Sequence, residues 1–151
     1  MNKDEQVIAG LRDLVNKWAW LNKVKMEASL KDYKPSEVHY IECIGKDTDS
    51  NLTEIADSLY MTRGAITKIT RKLIKKGLLE SYRKPGNRKQ IYFRLTKQGQ
   101  AINRLHEKLH KEFRERDKTV FEQVSDEQFD SMLDFVTRYC KHLDAEIQKL
   151  G

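Results

Sequence analysis

The 151-residue sequence predicts a mainly α-helical chain carrying one small β-hairpin. Three observations point to that class. Apolar residues recur at three- and four-residue steps over most of the chain, the spacing of amphipathic helices. The period shortens to two near Ile91, Phe93 and Leu95, with Tyr92 and Arg94 between them, which is strand periodicity. Positive charge gathers where two short helical patterns give way to that hairpin. Residues 62–94 hold eleven Lys and Arg against one acid, Glu80, so this stretch carries +10 and the rest of the chain −4.

In chain order, a first helix is expected from about Asp4 to Leu30, with Val7, Leu11, Leu14, Val15, Trp18 and Leu21 on one face. Trp18 and Trp20 enlarge its apolar surface beyond what one helix can hide. Tyr33-Lys34-Pro35 breaks it, and Pro35 suits the first turn of a second helix bearing Val38, Ile41 and Ile44 and ending near Gly45. Lys46-Asp47-Thr48-Asp49-Ser50-Asn51 reads as a polar loop. Leu52, Ile55, Ala56 and Leu59 form a short third helix with Asn51 or Thr53 as its cap. After a tight Tyr60-Met61 connection, Thr62 can cap a fourth helix whose core face is Ile66, Ile69, Leu73 and Ile74. Gly77 is its stop. Two short helices joined by a few residues make a helix-turn-helix layout. Leu78 to Leu95 reads as a hairpin turning at Pro85-Gly86-Asn87-Arg88, its tip flanked by Arg83, Lys84, Arg88 and Lys89. Helix returns after Thr96, with Ile102, Leu105, Leu109 and Phe113 on one face. Ser125 and Gln128 spell a capping box for a final helix striped by Phe129, Met132, Leu133, Val136, Tyr139 and Leu143.

Composition narrows the function. At 38% apolar the chain is lean for a compact monomer, and its long striped helices suggest a core completed by a second copy. No apolar run approaches the roughly 20 residues that span a bilayer. The polar N-terminus shows no signal-peptide pattern. Cys43 and Cys140 are far apart and lack CxxC spacing, so a cytoplasmic location is expected, with Cys43 a buried, inert thiol. A redox switch at these cysteines is the weaker reading.

A solvated surface normally mixes its charge signs; one concentrated on a helix and a hairpin fits the phosphate backbone of DNA. Arg63, Thr67 and Lys68 leave the apolar face in the N-terminal half of the fourth helix. Arg63 suits bidentate contact with guanine O6/N7, and Thr67 suits a base or phosphate. Lys68, Arg71, Lys72, Lys75 and Lys76 read as phosphate contacts or plain solvated charge. The small Gly64-Ala65 pair permits close approach to a groove, or is merely tolerated there. The expected DNA-contacting set is Thr62, Arg63, Thr67, Lys68, Arg71, Lys84, Arg88 and Lys89.

The runs Leu52-Thr53-Glu54-Ile55-Ala56, Thr62 through Thr67 with Leu73, Gly77-Leu78-Leu79-Glu80, and Leu95-Thr96 with Gly99 resemble the MarR family of bacterial winged-helix regulators. The match is dense from about residue 35 to 100. The resemblance implies a winged helix-turn-helix fold: residues 1–34 an N-terminal dimerisation helix, 35–96 the DNA-binding lobe, 97–151 C-terminal dimerisation helices, all in one continuous domain. It further implies a repressor that binds a pseudo-palindromic operator as a homodimer, built from the first, fifth and sixth helices. The two recognition helices would then stand about one DNA turn apart, roughly 34 Å. One departure lies at the wing: where the family commonly has Asp-x-Arg, this chain reads Asn87-Arg88-Lys89. A nonspecific DNA-packaging protein is the competing binding class, separable by a footprint on a defined palindrome.

His106, Glu107 and His110 spell His-Glu-x-x-His. Read literally, two histidines on one helix face would bind zinc, and Glu107 would be the general base of a small hydrolase. The motif falls in a helix expected to support a dimer, and nothing else in the chain suggests a substrate cleft, so no enzyme is expected. Some MarR-type repressors sense zinc, and the chain resembles them at His39, His106 and His110. There the fourth ligand is a Glu late in the first helix, for which Glu27 is the candidate. The resemblance thus implies one zinc site per chain, with zinc as corepressor. Val38 stands where a second site would need an acid, and His142 reads as a surface residue. The alternative is a small organic effector in a pocket at the same junction, lined by Trp18, Trp20, Tyr33 and Tyr40, though aromatics at helical spacing are more often core. Bystander histidines are the bland reading.

Overall fold

The computed structural model describes residues 1–47 and 49–151; Thr48 of the expected polar loop lies outside them. Among the described residues are six helices and one hairpin: α1 (Lys3–Ser29), α2 (Pro35–Lys46), α3 (Leu52–Ser58), α4 (Arg63–Lys75), β1 (Leu79–Lys84), β2 (Asn87–Leu95), α5 (Lys97–Glu122) and α6 (Asp126–Gln148). The chain divides into two compact units, Met1–Lys111 and Glu112–Gly151.

Local chemistry explains the boundaries. Asn2 and Glu5 form a capping box at the start of α1, which satisfies amide groups the first turn leaves open. Pro35 opens α2, where its missing N–H costs nothing. Asn51, rather than Thr53, caps α3 by accepting from the Glu54 amide at 2.9 Å. Thr62 caps α4 through the Ala65 amide at 3.2 Å. Gly77 follows α4 with a φ of 76°, a left-handed conformation that side chains other than glycine adopt at a cost. Thr96 Oγ1 donates to the Gly77 carbonyl at 2.6 Å and accepts from the Gly99 amide at 3.1 Å, so one hydroxyl joins the end of α4 to the start of α5.

The first unit's core gathers Tyr40, Ile41 and Ile44 of α2, Ile55 and Ala56 of α3, Ile66 and Leu73 of α4, and Leu78, Leu79, Phe93 and Leu95 from the hairpin and its lead-in. Helix α2 ends at Lys46, one residue past the expected Gly45, whose lack of a Cβ leaves room for the Asn103 side chain of α5. Ile74 is 42% exposed, and Thr70 takes the buried place instead. Thr70 Oγ1 donates to the Ile66 carbonyl at 2.7 Å and accepts from Tyr40 at 2.6 Å. The expected strand over Ile91, Phe93 and Leu95 forms, with Phe93 and Leu95 buried and Ile91 42% exposed where the hairpin's outer half runs beyond the core. Strand β2 begins at Asn87, so the turn itself is Pro85-Gly86.

In the second unit, Ser125 and Gln128 close the expected capping box of α6, and Phe121 and Phe129 lie nearly parallel with centroids 6.1 Å apart. The stripes of α1 and α6 are uncovered: Leu14, Val15, Trp18, Trp20, Met132, Leu133, Val136 and Leu143 are all exposed.

Candidate nucleic-acid interface and histidine cluster

Helix α4 buries Ile66, Thr70 and Leu73 and turns Arg63, Lys68 and Arg71 outward. Thr62 is exposed at the helix start. Thr67 is half-buried, and its hydroxyl donates to the Arg63 carbonyl at 2.8 Å, which leaves its lone pairs and methyl group for a partner. Two lysines of the basic run have a different occupation. The Glu37 side chain of α2 is only 2% exposed and is paired with Lys72 at 3.1 Å and Lys76 at 3.0 Å. Burial opposes its ionisation, but hydrogen bonds from Lys76 and Lys72 outweigh burial and hold the carboxyl below its ordinary range. These lysines fix α2 to α4, and Lys76 also sits 5.0 Å from the Tyr33 ring centroid.

At the hairpin, Glu80 pairs with Arg94 at 2.7 Å. Lys84 lies over the Tyr92 ring at 4.5 Å and pairs with Asp49 at 3.4 Å. Tyr82 donates to Asp49 at 2.5 Å, a bond that pushes its hydroxyl up to about 12. Arg83 donates to the Arg88 carbonyl across the tip. Arg88 and Lys89 are exposed. A cationic helix and a stiffened cationic ribbon therefore belong to one unit.

A second constellation lies on α2 and α5. His106 is 1% exposed, and its Nε2 lies 2.9 Å from Nε2 of His110. The rings meet edge to face. Burial, then His110, holds His106 below the ordinary imidazole range, so it is neutral near pH 7. Its Nδ1 is buried without a hydrogen bond and faces Glu42 Oε2 at 3.6 Å. Burial opposes the ionisation of Glu42, but Lys46 outweighs it and holds the carboxyl below its ordinary range. Among the described residues, Glu42, His106 and His110 are the set within ligating reach of one another.

His39 and Glu27 line the same cavity, of about 310 Å³, but stand outside that set. The Glu27 side chain is 57% exposed and lies 3.8 Å from Lys23. Sequence reasoning missed Glu42. Its signal was the three-residue step from His39, which puts both on one helix face. Of the aromatics expected to line the cavity, Trp18 and Tyr33 do so. Tyr40 does not, because it is in the core with its hydroxyl pushed up to about 12 by burial. Trp20 does not either; it is 69% exposed. Cys43 is half-buried with its thiol pushed up by burial, and Cys140 is exposed.

Comparison with known proteins bears on the whole arrangement. Residues 34–91 match the MarR family. The chain is 35% identical over 111 residues to the HTH-type transcriptional regulator PchR of Bacillus subtilis (strain 168), covering 74% of this chain and 66% of that protein. It thus spans just under two thirds of that relative's length. It superposes on Streptococcus pneumoniae FabT, solved in complex with DNA, with a TM-score of 0.82 and 27% identity over 95% of this chain and 99% of FabT. Its DNA-binding lobe and its fold are similar to those of the MarR family. A further relative, the uncharacterized HTH-type transcriptional regulator YvnA of Bacillus subtilis (strain 168), is 28% identical over a stretch that covers 75% of this chain and 72% of that protein. MarR relatives are regulators rather than enzymes, so the His-Glu-x-x-His sequence gains no support as a hydrolase centre. No helix among the described residues is long and apolar enough to cross a membrane.

Proposed function

We propose that this chain is a cytoplasmic transcriptional repressor that binds a pseudo-palindromic operator as a homodimer and is modulated by zinc. The observation that carries the DNA part is the outward set Arg63, Lys68 and Arg71 on a helix whose opposite side is packed in the core. FabT, a solved protein with this fold, was solved in complex with DNA. Dimerisation is supported by the uncovered apolar stripes of α1 and α6, which exceed what a lone chain in water would leave exposed.

The histidine cluster fits zinc in its chemistry. A buried imidazole whose Nε2 lies 2.9 Å from the Nε2 of a second imidazole, with carboxylates nearby, forms a borderline donor set of the kind zinc takes. His106 and His110 would hold it from α5, with His39 of α2 and Glu27 of α1, which line the same cavity, completing the set. A bound zinc supplies a fixed four-coordinate link. The histidines then hold α2 against α5, and Glu37 with Lys72 and Lys76 carries the position of α2 to α4. This biases the lobe arrangement that suits DNA, a shift set by differential affinity. The test is operator affinity measured with zinc and with a chelator, for wild type and His110→Ala. Zinc should tighten wild-type binding and leave the variant unmoved. Equal affinity in all four would remove the metal reading and leave the repressor reading intact.

A further inference from the structure

The two nitrogens of His106 face different partners. Nε2 meets His110 Nε2 at 2.9 Å. Nδ1 is buried, makes no hydrogen bond and faces Glu42 Oε2 at 3.6 Å. Lys46 holds the other carboxylate oxygen, Oε1, at 2.8 Å, which leaves Oε2 turned to the ring. We propose that Glu42 is a positioning residue for metal binding: its Oε2 accepts the Nδ1 proton of His106 and so holds the tautomer whose Nε2 lone pair points, beside that of His110, at a single ion. The inference rests on the zinc reading above and goes beyond it by giving Glu42 a role other than ligation.

The geometry separates that role from direct ligation. The two nitrogens of an imidazole lie on different edges of the ring. An oxygen aimed at Nδ1 is not aimed at an ion bound between the two Nε2 atoms. At 3.6 Å the contact is too long for a hydrogen bond; closing it needs a movement of about 0.6 Å, within reach of small side-chain adjustments. A buried N–H without an acceptor is costly, so a neutral His106 protonated at Nδ1 draws Oε2 in. A carboxylate on the far nitrogen of a ligating histidine fixes the ring's tautomer and raises its basicity. Glu42 and His39 share a face of α2, so one helix presents both to the cluster.

The experiment uses the whole chain as wild type, Glu42→Ala and Glu42→Gln. Nitrogen-detected NMR of the metal-free protein reads the His106 tautomer, and competition with a chromophoric chelator reads zinc affinity. Wild type should carry the proton on Nδ1. The Lys46 side chain is 75% exposed and can turn to solvent, which frees the single glutamine amide oxygen to accept the proton, so Glu42→Gln should keep the tautomer and stay within a few-fold of wild-type zinc affinity. Glu42→Ala should lose the tautomer preference and bind zinc on the order of 10–100-fold more weakly. Wild-type protein with the proton on Nε2 overturns the proposal whatever the variants do. A glutamine variant that falls as far as alanine makes Glu42 a ligand and also overturns it. Wild-type protein that shows the Nδ1 proton yet takes up no zinc removes the zinc reading itself, a different failure.

Discussion

Arg63 opens α4, exposed and one residue beyond the Thr62 cap. Its neighbours on the core side are fixed, so its guanidinium is presented from a rigid start. Replacing it with alanine should cost roughly 1–3 kcal/mol at the specific site and relax the sequence preference there. Operator selection with the variant checks this; an unchanged profile means that Arg63 does not read bases. Glu37 makes a prediction of another kind. Its carboxyl is held below the ordinary range by Lys76 and Lys72 against the effect of burial. A depressed carboxyl contributes stability that is present above its unfolded value and lost as pH falls through the folded value. Glu37→Gln should therefore destabilise the fold by about 1–3 kcal/mol at neutral pH. The difference should shrink as pH drops below the ordinary Glu value of about 4.3. Urea melts of both proteins between neutral and acid pH measure it, and a constant gap would contradict the ion-pair account.

The elements show what could be read from residues alone and what could not. Helix periodicity, the Pro35 start, the Thr62 cap and the Ser125 capping box act within one or two turns, so they were legible in the sequence. The Gly77 stop was legible for the same reason, and its φ of 76° makes it testable: Gly77→Ala should cost about 1 kcal/mol or more in thermal stability. An unchanged melting temperature would mean that the α4–β1 junction is loosely held. Ile74 was misread because it satisfies a local period, whereas burial depends on which neighbouring element reaches that point. Thr70 was overlooked for the converse reason: a hydroxyl becomes a core group only when Tyr40 arrives from α2 to share it. Glu42 is the same lesson at the candidate site. His106 and His110 announce themselves by their four-residue step, but the carboxylate facing them comes from another helix. Spacing within one helix says nothing about that meeting.

For the whole molecule, charge and apolar surface point to different partners. The apolar stripes on α1 and α6 predict self-association. Leu133, 63% exposed at the middle of the α6 stripe, is a direct probe. Leu133→Glu should shift the chain toward monomer in sedimentation experiments and weaken binding to a two-half-site operator more than to one half-site. A variant that sediments as wild type would detach α6 from the interface. The charge of residues 62–94 predicts the other partner, duplex DNA. The most direct measurement is the affinity of the wild-type protein for its selected operator across a range of salt concentrations, with random duplex alongside. Displacement of counterions by several Lys and Arg predicts a steep linear fall of log affinity with log salt, by roughly 0.9 for each phosphate neutralised, with the operator preferred at every concentration. A flat salt response would contradict the claim that α4 and the hairpin form a DNA-docking unit.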